Sequence, residues 1–398
     1  GITGLTHELS FGNTVAGNSV ATSGKVDVKN TGSITTEGNG AIAVVAQSIG
    51  GGGGYTAGVN KDSAPTVTSN TNAKGNAGDV SVIHGPHPST TLVQQNTTTT
   101  ADSTQDDTSV EVTPIEQFAS IFTTGNYAHG IVAQSIAGGG GFTHLIDSEG
   151  DISGFFAGTV GGEGQAGNIN IQHDGRIITT GKDSIGILAQ SAGSQNGKIN
   201  IEIAKDSVVI GGSGNGVALA LFDGANNTVL NQGYLTAKGE LDSKYLLAPT
   251  DPNYIESDNL TDNLVSVGSS DANAIVGSNG NNTIVNDGGF ITGSIQLTNG
   301  SNKLTNQNNG WILAGTTMQF ANEPTRMMRS VPQIGSIVND ANWSIGGVDE
   351  ISSTYMVGDF TQTENGKFFL DYNVDRGTSN ITASMFSSTN SNLGSFDT

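Results

Sequence analysis

Acid–base chemistry on this chain would depend on Asp106, Asp107, His129 and Arg176, whose side chains could act together on a glycosidic bond. A pair of carboxylates can supply the general acid and the general base of glycoside hydrolysis. The two aspartates lie in a stretch rich in Ser and Thr, where no strand would fix the distance between them. We therefore predict no catalytic residues and no enzymatic activity, and we keep a polysaccharide hydrolase or lyase as the alternative.

Metal and cofactor sites are not predicted either. The chain has no cysteine, which removes thiolate ligands and disulfides. His84 and His87 are close in sequence but lie beside prolines. Residues 211–217, Gly-Gly-Ser-Gly-Asn-Gly-Val, resemble a calcium-binding turn, but Gly216 stands where a carboxylate is needed. Calcium requires charged oxygen ligands, so we expect these turns to be free of metal.

The charge and the hydropathy of the chain exclude several classes of protein. Acidic residues outnumber basic ones 36 to 15 over 398 residues, giving a formal net charge of −21. Nucleic acid and anionic membrane surfaces both require a basic face, so neither is an expected partner. No apolar run reaches the roughly 20 residues that a membrane helix needs, so direct membrane insertion is not expected.

Internal repeats dominate the first half of the chain. They read G-N-G-A-I-A-V-V-A-Q-S-I-G-G-G-G-G-Y-T at 38–56, G-N-Y-A-H-G-I-V-A-Q-S-I-A-G-G-G-G-F-T at 125–143 and G-K-D-S-I-G-I-L-A-Q-S-A-G at 181–193. Each repeat contains short runs of alternating apolar and polar residues, which predict strands. A unit of about three short strands cannot close its own core, but stacked units can. We therefore predict an all-β chain folded as a right-handed parallel β-helix.

Gln47, Gln134 and Gln190 occupy the same position of the three A-Q-S repeats. Stacking of the units would align their amides in a hydrogen-bonded ladder, an arrangement that stabilises stacked parallel strands. We assign these glutamines a structural role. The alanine before each of them marks a narrow inner position, and the glycine runs at 50–54 and 138–141 are expected to form turns with positive φ.

A second repeat begins beyond residue 220. Its copies read G-A-N-N-T-V-L-N-Q-G at 224–233, G-N-N-T-I-V-N-D-G-G at 280–289 and G-S-N-K-L-T-N-Q-N-N-G at 300–310. Asn tolerates left-handed turns and hydrogen bonds to its own backbone. We interpret these copies as further units of the same stack, with shorter turns.

Insertions at about 57–77, 85–116 and 241–272 interrupt the repeats. Loops on a rigid scaffold often carry binding sites. The third insertion is the best candidate, because large apolar side chains are unusual on an exposed loop. The candidate binding residues are Tyr245, Leu247 and Tyr254 there, with Arg326 and Arg329 in a basic, Met-containing stretch at 318–333.

The end of the chain resembles a known family. Residues 357–383 read V-G-D-F-T-Q-T-E-N-G-K-F-F-L-D-Y-N-V-D-R-G-T-S-N-I-T-A. This stretch is similar to the end of autotransporter (type V secretion) passengers, just ahead of their outer-membrane barrel. The matching positions are Gly358, Gln362, Thr363, Gly366, Asp371 and Gly377. Ser379 to Thr382 departs from the family pattern, whereas the A-Q-S-I-G-G-G repeats resemble those of large Gly-rich passengers.

The resemblance implies a parallel β-helix over residues 1–317 and an autochaperone-like capping module over 318–398. It also implies export through the periplasm to the surface of a Gram-negative bacterium, with the protein's own outer-membrane barrel as a partner. The expected function is that of an adhesin or aggregation factor. Its partners would be a glycan, a surface protein of a host or neighbouring cell, or a second copy of the chain. An alternative is an inert stalk for an effector domain that precedes Gly1.

Overall fold

The computed structural model describes residues 8–11, 21–60, 66–69, 73–85, 119–159, 163–236, 272–321, 335–345 and 353–369. These residues form strands and turns, and no helix occurs among them. Nearly all strand pairs are parallel. The all-β prediction is therefore confirmed for this part of the chain.

The first large sheet has nine strands, all parallel. In sheet order they are β2 (Val26–Asn30), β7 (Val80–His84), β12 (Ile169–His173), β15 (Ile199–Ile203), β18 (Asn226–Asn231), β21 (Asn281–Asp287), β23 (Asn302–Gln307), β25 (Ser336–Asn339) and β28 (Asp359–Gln362). Alternate residues point inward, as in Ile169 and Ile171 of β12, which are at most 1% exposed.

The second large sheet has 15 strands and two halves. One half contains β3 (Ile34–Thr36), β8 (Ala119–Thr123), β13 (Gly175–Thr179), β16 (Val208–Ile210) and β19 (Tyr234–Thr236). The other contains β4 (Val44–Ile49), β9 (Ile131–Ile136), β14 (Ile185–Ala192), β17 (Val217–Asp223) and β20 (Asn273–Gly277). The halves join at β22 (Phe290–Leu297), which pairs with both β19 and β20, and the sheet continues through β24 (Trp311–Gln319), β26 (Asn342–Ile345), β27 (Tyr355–Val357) and β29 (Lys367–Phe369).

The chain follows the same path in each repeat. It crosses the nine-stranded sheet once and then passes through the two halves of the 15-stranded sheet, as in β12, β13 and β14 before β15. Each strand pairs in register with its equivalent in the next repeat, so Ile169 lies beside Ile199 and Ala133 lies beside Ala189. Residues that are equivalent in sequence thus become neighbours in space.

One continuous apolar cluster fills the space between the sheets. It runs from Val44 and Val80 to Trp343, with Phe360 and Phe368 packed against its far end. The narrow positions of the A-Q-S repeats belong to it, since Ala46, Ala133 and Ala189 are at most 1% exposed. Burial of each large aliphatic side chain contributes about 1.5–3 kcal/mol.

Two smaller sheets lie beside this stack. One pairs β1 (Glu8–Phe11) with β6 (Thr66–Ser69) in parallel. In the other, β10 (Gly140–Ile146) lies between β11 (Ile152–Thr159), its antiparallel partner, and β5 (Gly53–Asn60), its parallel partner. Part of the predicted 57–77 insertion is therefore strand rather than loop.

Glycine is needed where β5, β10 and β11 meet. Gly53 has φ 140° and Gly140 has φ 151°, a region that other residues rarely adopt. A Cβ atom on Gly53 would lie 1.8 Å from the Gly140 carbonyl oxygen, and one on Gly140 would lie 2.1 Å from that of Gly158. The predicted positive-φ turns thus continue into strands whose backbones approach too closely for side chains.

Candidate functional site

The serine of each A-Q-S repeat links consecutive repeats through glycine backbone. Ser135 Oγ donates to the Gly78 carbonyl oxygen at 2.9 Å and accepts the Gly167 N–H at 2.8 Å. The same bonds hold Ser48 between Gly24 and Gly78 and Ser191 between Gly167 and Gly197. These buried hydroxyls therefore fix the turns that precede the nine-stranded sheet.

The glutamines of the same repeats form an amide ladder. Gln47 Nε2 donates to Gln134 Oε1 at 2.6 Å, and Gln134 Nε2 donates to Gln190 Oε1 at 2.8 Å. Gln190 Nε2 in turn donates to the Asp223 carboxylate at 2.9 Å and to the Ala157 carbonyl oxygen of β11 at 3.1 Å. The ladder thus ties the 15-stranded sheet to the small sheet beside it, which is a structural role.

Two further ladders, made of asparagine, are buried inside the second half of the stack. The longer one runs from Asn231 through Asn286, Asn306 and Asn339 to Gln362, with donor–acceptor distances of 2.7 to 2.9 Å. The shorter one links Asn227, Asn282 and Asn302. Each amide NH₂ along the ladders donates to the next amide, whereas the first residues, Asn227 and Asn231, have Oδ1 atoms without a partner in the described part of the chain.

Histidines occupy the equivalent of the longer ladder in the first half. His84 and His173 are each 1% exposed, and their Nδ1 atoms are 2.8 Å apart. His173 Nε2 donates to the Val208 carbonyl oxygen at 3.1 Å, so its Nδ1 accepts the proton carried by His84 Nδ1. Burial and the neighbouring His173 lower the pKa of His84 to about 3, and burial lowers the pKa of His173 to about 4.

A second buried pair of histidines consists of His129, which precedes β9, and His144, which lies on β10. His129 Nδ1 accepts the Ile185 N–H at 2.9 Å, and its ring meets Phe155 edge to face at 5.3 Å. Burial lowers the pKa of His129 to about 3 and that of His144 to about 4. His144 Nε2 donates to the Tyr127 carbonyl oxygen at 3.3 Å. Both rings are therefore neutral packing elements.

Of the candidate catalytic set, only His129 and Arg176 lie in the described part of the chain. His129 is fully buried and Arg176 is 8% exposed, on a strand of the 15-stranded sheet. Asp106 and Asp107 lie outside the described residues. Within the described residues, no three His, Asp or Glu side chains converge as they would around a metal ion.

The other candidate binding residues cannot be placed. Tyr245, Leu247, Tyr254, Arg326 and Arg329 all lie outside the described residues, as does His87. In the described ranges, no helix is long and apolar enough to cross a membrane.

The outer face of the nine-stranded sheet carries one row of polar or charged side chains. Strand register aligns Asp27, Ser81, Asn170, Asn200, Thr228, Thr283, Lys303, Ser336 and Asp359. Six of these nine residues are exposed and the other three are half-buried. At about 4.8 Å between strands, the row is about 38 Å long.

An open polar groove runs across the turns that lead into this sheet. Its volume is about 440 Å³, and Asn76, Asp79, Gln165, Asn168 and Lys198 project along it. The turns read Asn-Ala-Gly-Asp at 76–79, Gln-Ala-Gly-Asn at 165–168 and Gln-Asn-Gly-Lys at 195–198. The sequence did not lead us to predict this site, although each turn has an amide side chain at its first position and Gly at its third, which was a visible signal.

Comparisons of the chain with protein-family models, with curated proteins and with solved structures found no match in any of the three sets.

Proposed function

We propose that this chain is part of an autotransporter passenger, a right-handed parallel β-helix with an autochaperone-like cap over 318–398. It is displayed on the surface of a Gram-negative bacterium after export through the periplasm, next to its own outer-membrane barrel. There it acts as an adhesin or aggregation factor and not as an enzyme.

The observation that carries this proposal is the polar row along the nine-stranded sheet. Each of its nine strands offers a hydroxyl, amide or charged group on the same face. Single contacts of this kind are weak, but contacts made together along a rigid support add up by multivalency. Such a surface suits a ligand that is itself extended, such as a glycan or an array of surface proteins.

The net charge sets the conditions for self-association. Two copies that each carry −21 repel one another at low ionic strength. Aggregation through this face would therefore increase with salt, because screening shortens the range of the repulsion.

The test is retention of the purified chain on immobilised polysaccharides, matrix proteins and the chain itself, with release of soluble oligosaccharides measured in parallel. Retention without products supports the adhesin. Release of products would refute the non-enzymatic proposal and make Asp106 and Asp107 the first targets. Retention on no surface would favour an inert stalk and would also contradict the proposal.

A further inference from the structure

We propose that the polar groove across the turns at 76–79, 165–168 and 195–198 binds a neutral, extended glycan chain. The inference rests on the proposed adhesive function and specifies its site and its ligand. Its basis is the set of side chains that the stacking of the turns holds in place.

Backbone hydrogen bonds fix the polar side chains of the groove. Asn76 Oδ1 accepts the Gln165 N–H at 2.9 Å, and Asn168 Oδ1 accepts the Lys198 N–H at 2.9 Å. Asp79 Oδ1 accepts the Asn168 N–H at 2.7 Å. Each bond uses one oxygen and leaves the rest of the group, an amide NH₂ or the second carboxylate oxygen, for a ligand. Side chains that are already ordered lose little rotamer freedom on binding.

The floor of the groove is formed by small residues on closely stacked backbone. Ala77, Ala166, Gly167 and Gly197 contribute to the lining. A Cβ atom on Gly167 would lie 2.4 Å from backbone atoms of Gly78, so the turns stack as closely as backbone allows. Because Ser135 bonds to both of these glycines, the A-Q-S repeat supports the groove from below.

The lining selects the chemical class of the ligand. It contains no aromatic or large aliphatic side chain, so an apolar ligand gains little there. Amides, a carboxylate and an ammonium group can both donate to and accept from hydroxyls. Asp79 and Lys198 balance one another within the groove, whereas the net charge of −21 repels polyanions. A neutral polyhydroxylated chain fits these conditions.

Polar groups recur from one turn to the next in step with the strands, at about 4.8 Å, and Asp79, Asn168 and Lys198 occupy the same position with different charges. A polymer of repeating hydroxyl groups can therefore make similar contacts at several turns. A single sugar would engage one turn only and would bind weakly.

The experiment measures binding of labelled cellohexaose, maltohexaose and a galacturonate hexamer to the whole chain and to Asn76→Asp and Asn168→Asp. Aspartate keeps the oxygen that accepts the backbone N–H but removes the NH₂ donor. We expect each variant to weaken binding of a neutral hexasaccharide about tenfold. Asn126→Asp is the matched control, because Asn126 Oδ1 also accepts a backbone N–H, that of Lys182 at 3.0 Å, and this exposed residue lies outside both the groove and the polar row.

A further variant, Gln165→Ala, removes a side chain that forms no hydrogen bond within the described residues and lies in the groove. Circular dichroism of all variants checks that the fold is kept. Equal binding by wild type and the groove variants, or preference for the galacturonate hexamer, would overturn the groove proposal while adhesion stands. Retention of the chain on immobilised proteins, without any binding of the hexasaccharides, would also overturn the groove proposal and leave adhesion standing. Retention on nothing would overturn both proposals.

Discussion

Lowering the pH from about 7 to about 5 should destabilise the part of the stack that contains His84 and His173. Both imidazoles are buried and neutral, and they bond to one another through Nδ1. His84 Nε2 is buried without a hydrogen-bond partner in the described part of the chain. A proton added there would therefore create a charge with no carboxylate to balance it, whereas the same imidazole in an unfolded chain is solvated.

The magnitude follows from the difference in pKa between the folded and unfolded states. The pKa of His84 falls from 6.5 to about 3 and that of His173 from 6.5 to about 4. Because the folded pKa is the lower one, the stabilisation is complete above pH 6.5 and is lost as the pH falls towards the folded values. At pH of about 5 the loss is about 2 kcal/mol for each residue and about 4 kcal/mol for the pair.

His129 and His144 should add a loss of similar size, since their pKa values are lowered to about 3 and about 4 by burial. All four histidines lie between residues 84 and 173 of the chain. The equivalent positions of later repeats carry Asn231, Asn286 and further amides, which do not titrate. Acid should therefore loosen the first half of the described stack before the second.

Amide hydrogen exchange at the two pH values, corrected for the intrinsic rate, measures this difference strand by strand. Protection of β7 and β12 should fall much more than protection of β21 and β23. The double variant His84→Asn and His173→Asn replaces both imidazoles with amides, which do not titrate, and should lose about half of the pH effect. Equal loss of protection in all four strands, or an unchanged pH effect in the double variant, would refute the reasoning.

Two other substitutions test what holds the repeats together. Ser135→Ala removes two hydrogen bonds to half-buried backbone groups of Gly78 and Gly167, so urea unfolding should show a loss of about 1–3 kcal/mol. A loss under about 0.5 kcal/mol would show that the backbone alone sets the turns. Asn286→Leu interrupts the longer ladder between Asn231 and Asn306 and should cost about 3 kcal/mol or more. Asn281→Leu, on an exposed rung, is its control and should change the thermal midpoint little.

Much of the local structure could be predicted from the sequence. Alternation predicts strands, and the structure has β12 at Ile169–His173 and β15 at Ile199–Ile203, where the I-N-I patterns stand. The A-Q-S repeat predicts which residues align, because parallel strands in register place equal positions side by side. In each A-Q-S repeat the Ala side chain points into the core and the Gln side chain points outward, because successive side chains of a strand alternate between its two faces. The Ser side chain returns to the side of Ala, where it bonds to the glycine turns.

The distances along the chain between aligned residues are not regular, however. Gln47 and Gln134 are 87 residues apart and Gln134 and Gln190 only 56, yet each pair is hydrogen bonded. Because the insertions differ in length, no fixed repeat period along the sequence predicts which residues pair. His84 and His173, 89 residues apart, share no motif that marks them as partners, and the structure pairs them only because their strands are neighbours.

The sequence by itself determined the strands, the inward and outward faces and the glutamine ladder, because these depend on local alternation and on repetition. Asn231 and Asn286 were expected in turns, whereas the structure buries them in a ladder along the strands. Only the tertiary structure decided the histidine pairs, the three-stranded sheet built partly from the 57–77 insertion and the polar groove. In each case the segments are separated along the chain by insertions of different length. Their proximity depends on which strands and turns stack on one another. This long-range pairing cannot be predicted from composition or from the repeat period.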